Sequence, residues 1–249
     1  MMTGSAELAI ETKDLSRQFG GTEAVSGVSI EVPLGSVCAL FGLNGSGKTT
    51  LIRLLLGHLR PTSGTVRVLG RSLGDEIREI RERVGYVAES RYLYDWMTVR
   101  ETLDFTRAFH RDWDEAKADS LVERLHLPLE QRVARLSRGH RARLCLTLAL
   151  AYNPELIILD ELTAGLDVVV RREVLRNVIE EISQEGRTVL FSSHSVDEVE
   201  RLADRVAIMQ DGRLLMQGPI DELKTVPQSL EDTLVSLVGP QPAAQEGVK

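Results

Sequence analysis

The sequence predicts a layered α/β fold with a β-rich N-terminal part and a block of helices inserted in its middle. Short runs such as SVCALF and LIILDE are apolar on both faces, which is typical of parallel strands covered by helices on either side. Helix-periodic segments alternate with these runs along the chain. A sheet with helices packed on it is the architecture that this alternation favours.

The N-terminal part begins with strand patterns. Residues 7–32 are predicted to form short strands with polar interruptions, ELAIETKDL and then GVSIEV, and Leu34 with Gly35 turns the chain into SVCALF. The helical run TLIRLLLGHL ends before Pro61, and SGTVRVLG is a further strand. We expect these first strands to form an antiparallel β subdomain beside the α/β core.

Residues 92–151 carry the pattern of consecutive helices. Thr98 with Glu101 has the spacing of a capping box, and Asp112 with Glu115 resembles a second one. Such a block, roughly sixty residues long, interrupts the strands of the core. The sequence therefore predicts an inserted α-helical subdomain.

The α/β pattern resumes after the helical block. LIILDE and RTVLFSSH are predicted to be buried strands, Ser195 with Glu198 is expected to cap the next helix, and Asp211 with Gly212 marks a hairpin. An amphipathic segment, LEDTLVSLV, precedes a tail whose Gly, Pro and Gln content predicts disorder. The predicted units are a flexible start at 1–6, a core at 7–91 and 152–224, the helical subdomain at 92–151, and a short helix with a disordered tail at 225–249.

Composition excludes several functional classes. The 249 residues are 43% hydrophobic and 27% charged, which is typical of a globular protein. The net charge of −7 argues against a dedicated nucleic-acid binder, because such proteins normally carry excess cations. No apolar run reaches the ~18 residues that span a bilayer, and the first residues do not resemble a signal peptide. Cys38 and Cys145 lie far apart in apolar runs, so we expect buried thiols rather than a metal or redox pair.

The stretch GLNGSGKTT carries the clearest chemistry. It matches G-x-x-x-x-G-K-[ST] directly after an apolar strand and directly before a helix, which is the context that a phosphate-binding loop requires. Glycines allow backbone N–H groups to curl around phosphate oxygens, Lys48 supplies a cation, and Thr49 supplies a hydroxyl for Mg²⁺. The predicted phosphate-binding residues here are Gly42, Asn44, Gly45, Ser46, Gly47, Lys48, Thr49 and Thr50.

Two acidic residues end the buried strand LIILDE. Asp160 and Glu161 would be costly there without a function, and a phosphate loop needs a carboxylate to hold Mg²⁺ and another to orient water. We assign Asp160 to the metal and Glu161 to the attacking water as general base. His194, after the strand VLFSS, is by itself more typical of a satisfied core histidine.

The stretch RLSRGHRARL is ambiguous when it is considered alone. Ser137 before an apolar-periodic run is typical of an ordinary helix N-cap, whereas the arginines suggest a nucleic-acid patch or a phosphate site. The local sequence does not decide between these interpretations.

Five ordered motifs together make the chain resemble the ATP-binding subunits of ABC transporters, and the resemblance covers nearly everything from Glu7 to Lys224. GLNGSGKTT resembles the Walker A loop of that family, LSRGH its signature, LIILDE its Walker B strand, AGLD its D-loop, and SSH its switch histidine. The resemblance implies a P-loop NTPase core of the RecA-like type. It also implies ATP hydrolysis with Mg²⁺.

The resemblance assigns further residues to the site. It implies that Ser137 and Gly139 lead a helix that faces the γ-phosphate of ATP held by another subunit, so that two nucleotides lie between two chains. Phe19 would stack on adenine, Asp167 would link the two sites, and His194 would contact the γ-phosphate. This chain would therefore pair with itself or with a related ATP-binding subunit.

The sequence departs from the family pattern at four positions. Glu89 stands where the family has glutamine, and we expect it to lie near Mg²⁺ or to slow turnover. Arg138 and His140 replace the usual glycine and glutamine of the signature, and Leu162 replaces the proline after the catalytic glutamate. None of these departures removes a catalytic group, so we expect Lys48, Glu161 and His194 to support hydrolysis.

Three functions were weighed. The favoured one is an ATPase that powers a membrane transporter, in particular an exporter, through separate transmembrane permease subunits, and that lies at the cytoplasmic face of the membrane. If the chain powers a transporter, the resemblance implies that residues 86–100 touch the permease. The alternatives are an ATP-sensing regulatory subunit with weak catalysis, suggested by Glu89 and Arg138, and a soluble ATPase acting on nucleic acid or the ribosome. The acidic net charge argues against the last, so no nucleic-acid partner is expected.

Overall fold

Two β-sheets with helices around them form the molecule. A computed structural model describes residues 7–74, 76–90, 92–162 and 186–223. The predicted D-loop with Asp167, the segment LEDTLVSLV, the tail and the first six residues lie outside these described residues. The α/β class and the antiparallel N-terminal sheet predicted from the sequence are confirmed. The domain boundaries stay a prediction.

The first sheet is antiparallel and forms one side of the molecule. Its central strand, β1, pairs with β2, β3 and β5, and the sheet order is β2-β1-β5-β6 with β3 joined to β1. The strand bounds are β1 Leu8–Phe19, β2 Thr22–Val28, β3 Glu31–Pro33, β5 Ser63–Val68 and β6 Arg71–Ser72.

The prediction of short strands in residues 7–32 was partly wrong. β1 is a single strand of 12 residues, because register shifts let it bend and pair with β2 at one end and with β3 at the other. The predicted strand GVSIEV is instead divided between the end of β2 and β3.

The second sheet has six strands in the order β11-β10-β4-β9-β8-β7, and all neighbours are parallel except β10 and β11. Every residue of β4, β8 and β9 is buried, as their apolar sequences predict. Hydrophobic clusters cover both faces of this sheet. The strand bounds are β4 Val37–Phe41, β7 Val84–Val87, β8 Leu156–Leu159, β9 Thr188–Ser193, β10 Arg205–Gln210 and β11 Arg213–Pro219.

Seven α-helices and one short 3-10 helix, Val133–Arg135, are present in the described part of the chain. Three of the α-helices fall within the predicted helical block and pack around their own hydrophobic cluster. The helix bounds are α1 Lys48–Leu55, α2 Ile77–Arg83, α3 Val99–Arg107, α4 Glu115–Arg124, α5 Arg138–Leu150, α6 Val196–Leu202 and α7 Ile220–Leu223.

One of the two capping boxes predicted in the helical block is present. Thr98 accepts a hydrogen bond from the Glu101 N–H at 3.1 Å, and the Glu101 carboxylate accepts one from the Thr98 N–H at 2.7 Å. The prediction that Asp112 caps the next helix was wrong, because Asp114 occupies the N-cap of α4 and accepts from the Lys117 N–H. Asp114 is also fixed by tertiary contacts, which sequence spacing does not reveal.

The two turn signals near the C-terminal end of the described chain had different outcomes. Asp211 and Gly212 form the predicted hairpin between β10 and β11, with φ angles of 48° and 78°. Ser195 occupies the N-cap of α6 but makes no side-chain capping hydrogen bond, so the predicted capping with Glu198 was wrong.

Candidate functional site

The carboxyl ends of three neighbouring strands meet at one edge of the parallel sheet. β4 leads into the phosphate-loop sequence, β8 into Asp160 and Glu161, and β9 into His194. Ligands of open α/β sheets bind outside the carboxyl ends of the strands. A cleft of about 570 Å³ opens there, and its lining includes Lys48, Thr49 and Glu161.

The phosphate loop has a conformation that only glycine adopts easily. Gly45 and Gly47 have φ angles of 84° and 101°. A Cβ atom on Gly47 would lie 2.6 Å from the carbonyl oxygen of Ala24, which is closer than real contacts allow. The Gly212 N–H donates to the Ser46 carbonyl at 3.0 Å, so the β10–β11 turn supports the loop. The loop ends at the start of α1, where helix N–H groups attract anions.

Lys48 is buried at the bottom of the loop with its ammonium group fixed. Its Nζ donates to the carbonyl oxygens of Gly42 at 2.7 Å and Leu43 at 3.2 Å. The same atom lies 3.4 Å from Oε1 of Glu161, and 5% of the Lys48 side chain is exposed. The Lys48 ammonium group is therefore held at the cleft, where it can bind a phosphate group.

Asp160 joins the phosphate loop to the strand beside it. Its Oδ1 accepts a hydrogen bond from Ser192 at 2.8 Å and one from Thr49 at 3.3 Å. Burial raises the pKa of the Asp160 carboxyl, the charges of Glu89 and Glu161 raise it further, and the bonds from Ser192 and Thr49 oppose the rise. A cation bound beside Asp160 would oppose this rise, because a nearby positive charge favours the ionised carboxylate.

The residues around Asp160 fit a magnesium ion bound together with a nucleotide. Oδ2 of Asp160 is buried and has no hydrogen-bond partner among the described residues, and the Thr49 hydroxyl is its neighbour. Within the described chain, no three His, Cys, Asp or Glu side chains form a metal centre by themselves. Mg²⁺ typically uses one or two carboxylates plus substrate phosphates, which matches this arrangement. Glu89 also lines the cleft.

Glu161 lies between a lysine and a histidine. Its carboxylate contacts Lys48 on one side, and Nδ1 of His194 lies 3.0 Å from Oε2 and 3.3 Å from Oε1 on the other. The Glu161 backbone has φ 46°, uncommon for a residue with a side chain, and its N–H donates to Ser192 at 2.9 Å. Only 8% of the Glu161 surface is exposed, and the residue lines the cleft.

Phe19 is the last residue of β1 and lies three residues before Thr22, which lines the cleft. The ring is 42% exposed, and the Arg17 guanidinium carbon lies 4.5 Å from its centroid. Residues 22–24, which follow Phe19 after a two-glycine turn, line the cleft. An exposed ring at this place can stack on a nucleotide base.

The signature residues have the geometry of an open helix start. Ser137 is the N-cap of α5 and accepts from the His140 N–H at 3.1 Å, while Gly139 is in the first turn. Burial lowers the pKa of His140, and the charge of Arg143 lowers it further. Neither Ser137 nor Gly139 is among the described residues that line the cleft of their own chain. Of the other predicted site residues, Asp167 lies outside the described residues.

Several cleft residues were not predicted from the sequence as site residues. They come from the start of β2 and from the β10–β11 turn, which approach the phosphate loop through tertiary packing. The predicted Asp211–Gly212 hairpin was a usable signal for two of them, whereas the stretch after Gly21 has no distinctive motif. These residues are Thr22, Glu23, Ala24, Asp211 and Gly212.

Comparison with known proteins assigns the site to a family. The family model described as ABC transporter matches residues 25–164, which is more than half of the chain. The chain belongs to the ABC transporter family. It is an ATP-binding subunit of that family, for which ATP hydrolysis is the general activity.

Named relatives and a solved structure agree with this assignment. The chain is 38% identical over 207 residues to the uncharacterized ABC transporter ATP-binding protein all4389 of Nostoc sp., covering 80% of this chain and 61% of that relative. It is 34% identical over 243 residues to the Nod factor export ATP-binding protein I of Burkholderia orbicola, covering 94% of this chain and 78% of that protein. A solved ATP-binding subunit of an ABC transporter superposes with a TM-score of 0.83 and 28% identity, covering 93% of this chain and 99% of that one.

Among residues 7–74, 76–90, 92–162 and 186–223, none of the helices combines the length and apolar character needed to cross a bilayer.

Proposed function

We propose that this ABC protein powers a membrane exporter, hydrolysing Mg²⁺-bound ATP in a site completed by a second ATP-binding chain. The observation that carries the proposal is the position of the Glu161 carboxylate, which lies 3.4 Å from Nζ of Lys48 and 3.0 Å from Nδ1 of His194. Phosphate binding, water activation and γ-phosphate contact are the three tasks that such residues perform.

The phosphates of ATP are held by the loop amides, the N-terminus of α1 and Lys48. Thr49 and Asp160 would hold Mg²⁺, with Glu89 nearby, and the ion neutralises phosphate charge when bound. Glu161 accepts a proton from the attacking water, since its carboxylate faces the cleft. His194 holds this carboxylate from the side and reaches toward the γ-phosphate. Phe19 stacks on the adenine ring.

A second chain would supply the residues that cover the γ-phosphate. In the proposal, Ser137 and Gly139 of one copy, or of a related ATP-binding subunit, lie over the γ-phosphate bound by Lys48 of the other. The support is the exposed start of α5, whose N–H groups and Ser137 hydroxyl attract an anion outside its own cleft. ATP then bridges the two chains, and hydrolysis releases them. Asp167 would couple the two sites.

A permease would dock on exposed aromatic residues of the helical part. Tyr94, Trp96, Phe105 and Phe109 form a chain of ring contacts with centroids 5.0–5.8 Å apart, and we call these four the aromatic patch. Their exposure ranges from 40% to 69% in a protein with only 4% aromatic residues. Such a patch is typical of a protein-binding surface. The proposal locates the chain at the cytoplasmic face of the membrane through this contact.

Export rather than import is proposed because of the relatives. One of them is named as a Nod factor export protein, and it matches 94% of this chain. The names of the relatives do not favour action on nucleic acid, which also agrees with the negative net charge.

The test replaces the proposed base. Glu161→Gln keeps the size of the side chain but cannot accept the proton, so we expect the rate of phosphate release to fall by about 10²- to 10⁴-fold. ATP binding, measured by equilibrium titration, should persist because the phosphate loop is untouched. Glu200→Gln, at an exposed position of α6, is the matched control and should hydrolyse at the wild-type rate. Undiminished hydrolysis by Glu161→Gln would refute the assignment.

A further inference from the structure

A buried carboxylate outside the proposed catalytic set lies just beyond His194. Glu198 is in the first turn of α6, and 8% of its surface is exposed. A carboxylate removed from water is costly unless it is hydrogen-bonded. Capping of α6 does not account for its position, because Ser195 makes no side-chain capping bond. The carboxylate of Glu198 serves another purpose.

The carboxylate of Glu198 fixes the backbone on both sides of His194. Its Oε2 accepts a hydrogen bond from the hydroxyl of Ser193, a residue that is 1% exposed. The same hydroxyl oxygen accepts a hydrogen bond from the Ser195 N–H at 3.0 Å. The residues that precede and follow His194 are therefore tied to one buried acid.

Ser193 is also tied to the phosphate loop through its main chain. The Gly42 N–H donates to the Ser193 carbonyl at 3.3 Å, and Ser193 lies in register with Phe41 in the parallel pair of β4 and β9. One residue thus joins the start of the phosphate loop, the base of His194 and the carboxylate of Glu198. Movement of Ser193 would change the position of His194 relative to bound phosphate.

The His194 ring depends on this backbone for its orientation. The side chain is 42% exposed, so close packing does not fix it, and Nδ1 must stay 3.0 Å from Oε2 of Glu161. A displacement of about 1 Å in a reacting group can cost on the order of 100-fold in rate.

We infer that Glu198 is a positioning residue that holds His194 against Glu161 through the hydroxyl of Ser193. This inference rests on the proposed function, because it adds a residue to the same ATPase site. The hydrogen bond from the Ser193 hydroxyl to Oε2 of Glu198 is the contact through which the carboxylate would act on His194.

The test compares variants that remove or keep the hydrogen bond. Glu198→Ala and Ser193→Ala should each lower kcat for ATP hydrolysis about 10- to 100-fold while changing KM for ATP less than about twofold. Glu198→Gln retains an acceptor oxygen and should keep most of the activity. Asp197→Asn is the matched control, because Asp197 is an exposed acid on the same helical turn that pairs with Arg201; it should hydrolyse ATP normally.

A His194→Ala background separates positioning from general stability. If Glu198 acts through His194, Glu198→Ala should cause no further loss of kcat in that background. An equal further loss there, or wild-type kcat in folded Glu198→Ala, would overturn the inference. If Glu198→Ala does not fold, Ser193→Ala takes its place in the wild-type and His194→Ala backgrounds. A loss of kcat confined to the wild-type background supports the inference, and an equal loss in both backgrounds overturns it. Wild-type turnover by Glu161→Gln and His194→Ala would instead contradict the proposed function.

Discussion

Gly47 shows how a single residue limits the shape of the nucleotide cleft. Its φ of 101° suits glycine alone, and its missing side chain leaves room for the carbonyl oxygen of Ala24. Gly45 has a similar φ of 84°, but no atom of the described residues outside its own chain neighbours lies within 4 Å of the place where a Cβ would be. Backbone strain and steric collision can therefore be measured separately in one loop.

Gly47→Ala should destabilise the protein more than Gly45→Ala does. We expect a loss of about 1 kcal/mol in the free energy of unfolding for Gly45→Ala from strain alone, and about 2–3 kcal/mol for Gly47→Ala, where the new methyl group also meets backbone. Urea denaturation measures both losses. Equal losses would contradict the collision with Ala24.

The proposed catalytic residues could be named from the sequence because each belongs to a short local pattern next to a strand. GLNGSGKTT and LIILDE carry their own strand and helix context, so Lys48 and Glu161 were found without knowledge of the fold. Residues whose roles depend on packing were not. The sequence spacing favours Asp112 as the cap of α4, whereas Asp114 occupies that position and also accepts a hydrogen bond from the distant Asn153. In the same way, sequence spacing paired Glu198 with Ser195 as a helix cap, and only the folded structure shows its hydrogen bond from Ser193.

At the scale of elements, the edge of the parallel sheet depends on a contact that no sequence pattern indicated. α2 and β7 were not predicted individually, and Arg83 at the end of α2 forms a two-pronged ion pair with Glu155, just before β8. The two distances are 2.5 and 2.6 Å, and the Glu155 N–H also donates to the Arg83 carbonyl. This pair joins the helix to the strand beside β7.

The Arg83–Glu155 pair should make stability depend on pH. The hydrogen bonds from Arg83 lower the pKa of Glu155 below its ordinary 4.5. A lowered folded-state pKa stabilises the fold at neutral pH, and this contribution is lost as pH falls through the folded-state pKa. Because Glu155 is half exposed, we expect less than about 1 kcal/mol.

Urea denaturation of wild type and Glu155→Gln checks this expectation between neutral pH and pH of about 3. The difference in free energy of unfolding should be constant above the ordinary pKa of glutamate and shrink below it. In an Arg83→Gln background the shrinkage should disappear. A difference that grows on acidification would contradict the sign of the shift.

At the scale of the whole molecule, the proposed function requires each chain to carry two halves of different sites. The phosphate loop and Glu161 line its cleft, Asp160 contacts Thr49 and His194 contacts Glu161. Ser137 caps α5 away from the lining of that cleft. In the proposed dimer, ATP joins the cleft of one chain to the α5 N-terminus of another. ATP binding and dimer formation are then parts of one equilibrium.

The most direct measurement is the sedimentation of Glu161→Gln with Mg²⁺ and ATP, alone and combined with a change at Ser137. Ser137→Asp keeps an N-cap acceptor but adds a charge that repels phosphate, whereas Ser137→Asn keeps the acceptor without charge. The account predicts an ATP-dependent dimer for Glu161→Gln and for its combination with Ser137→Asn, and an ATP-bound monomer with Ser137→Asp. A Glu161→Gln chain that stays monomeric when saturated with ATP, or dimerises equally well with Ser137→Asp, would contradict it.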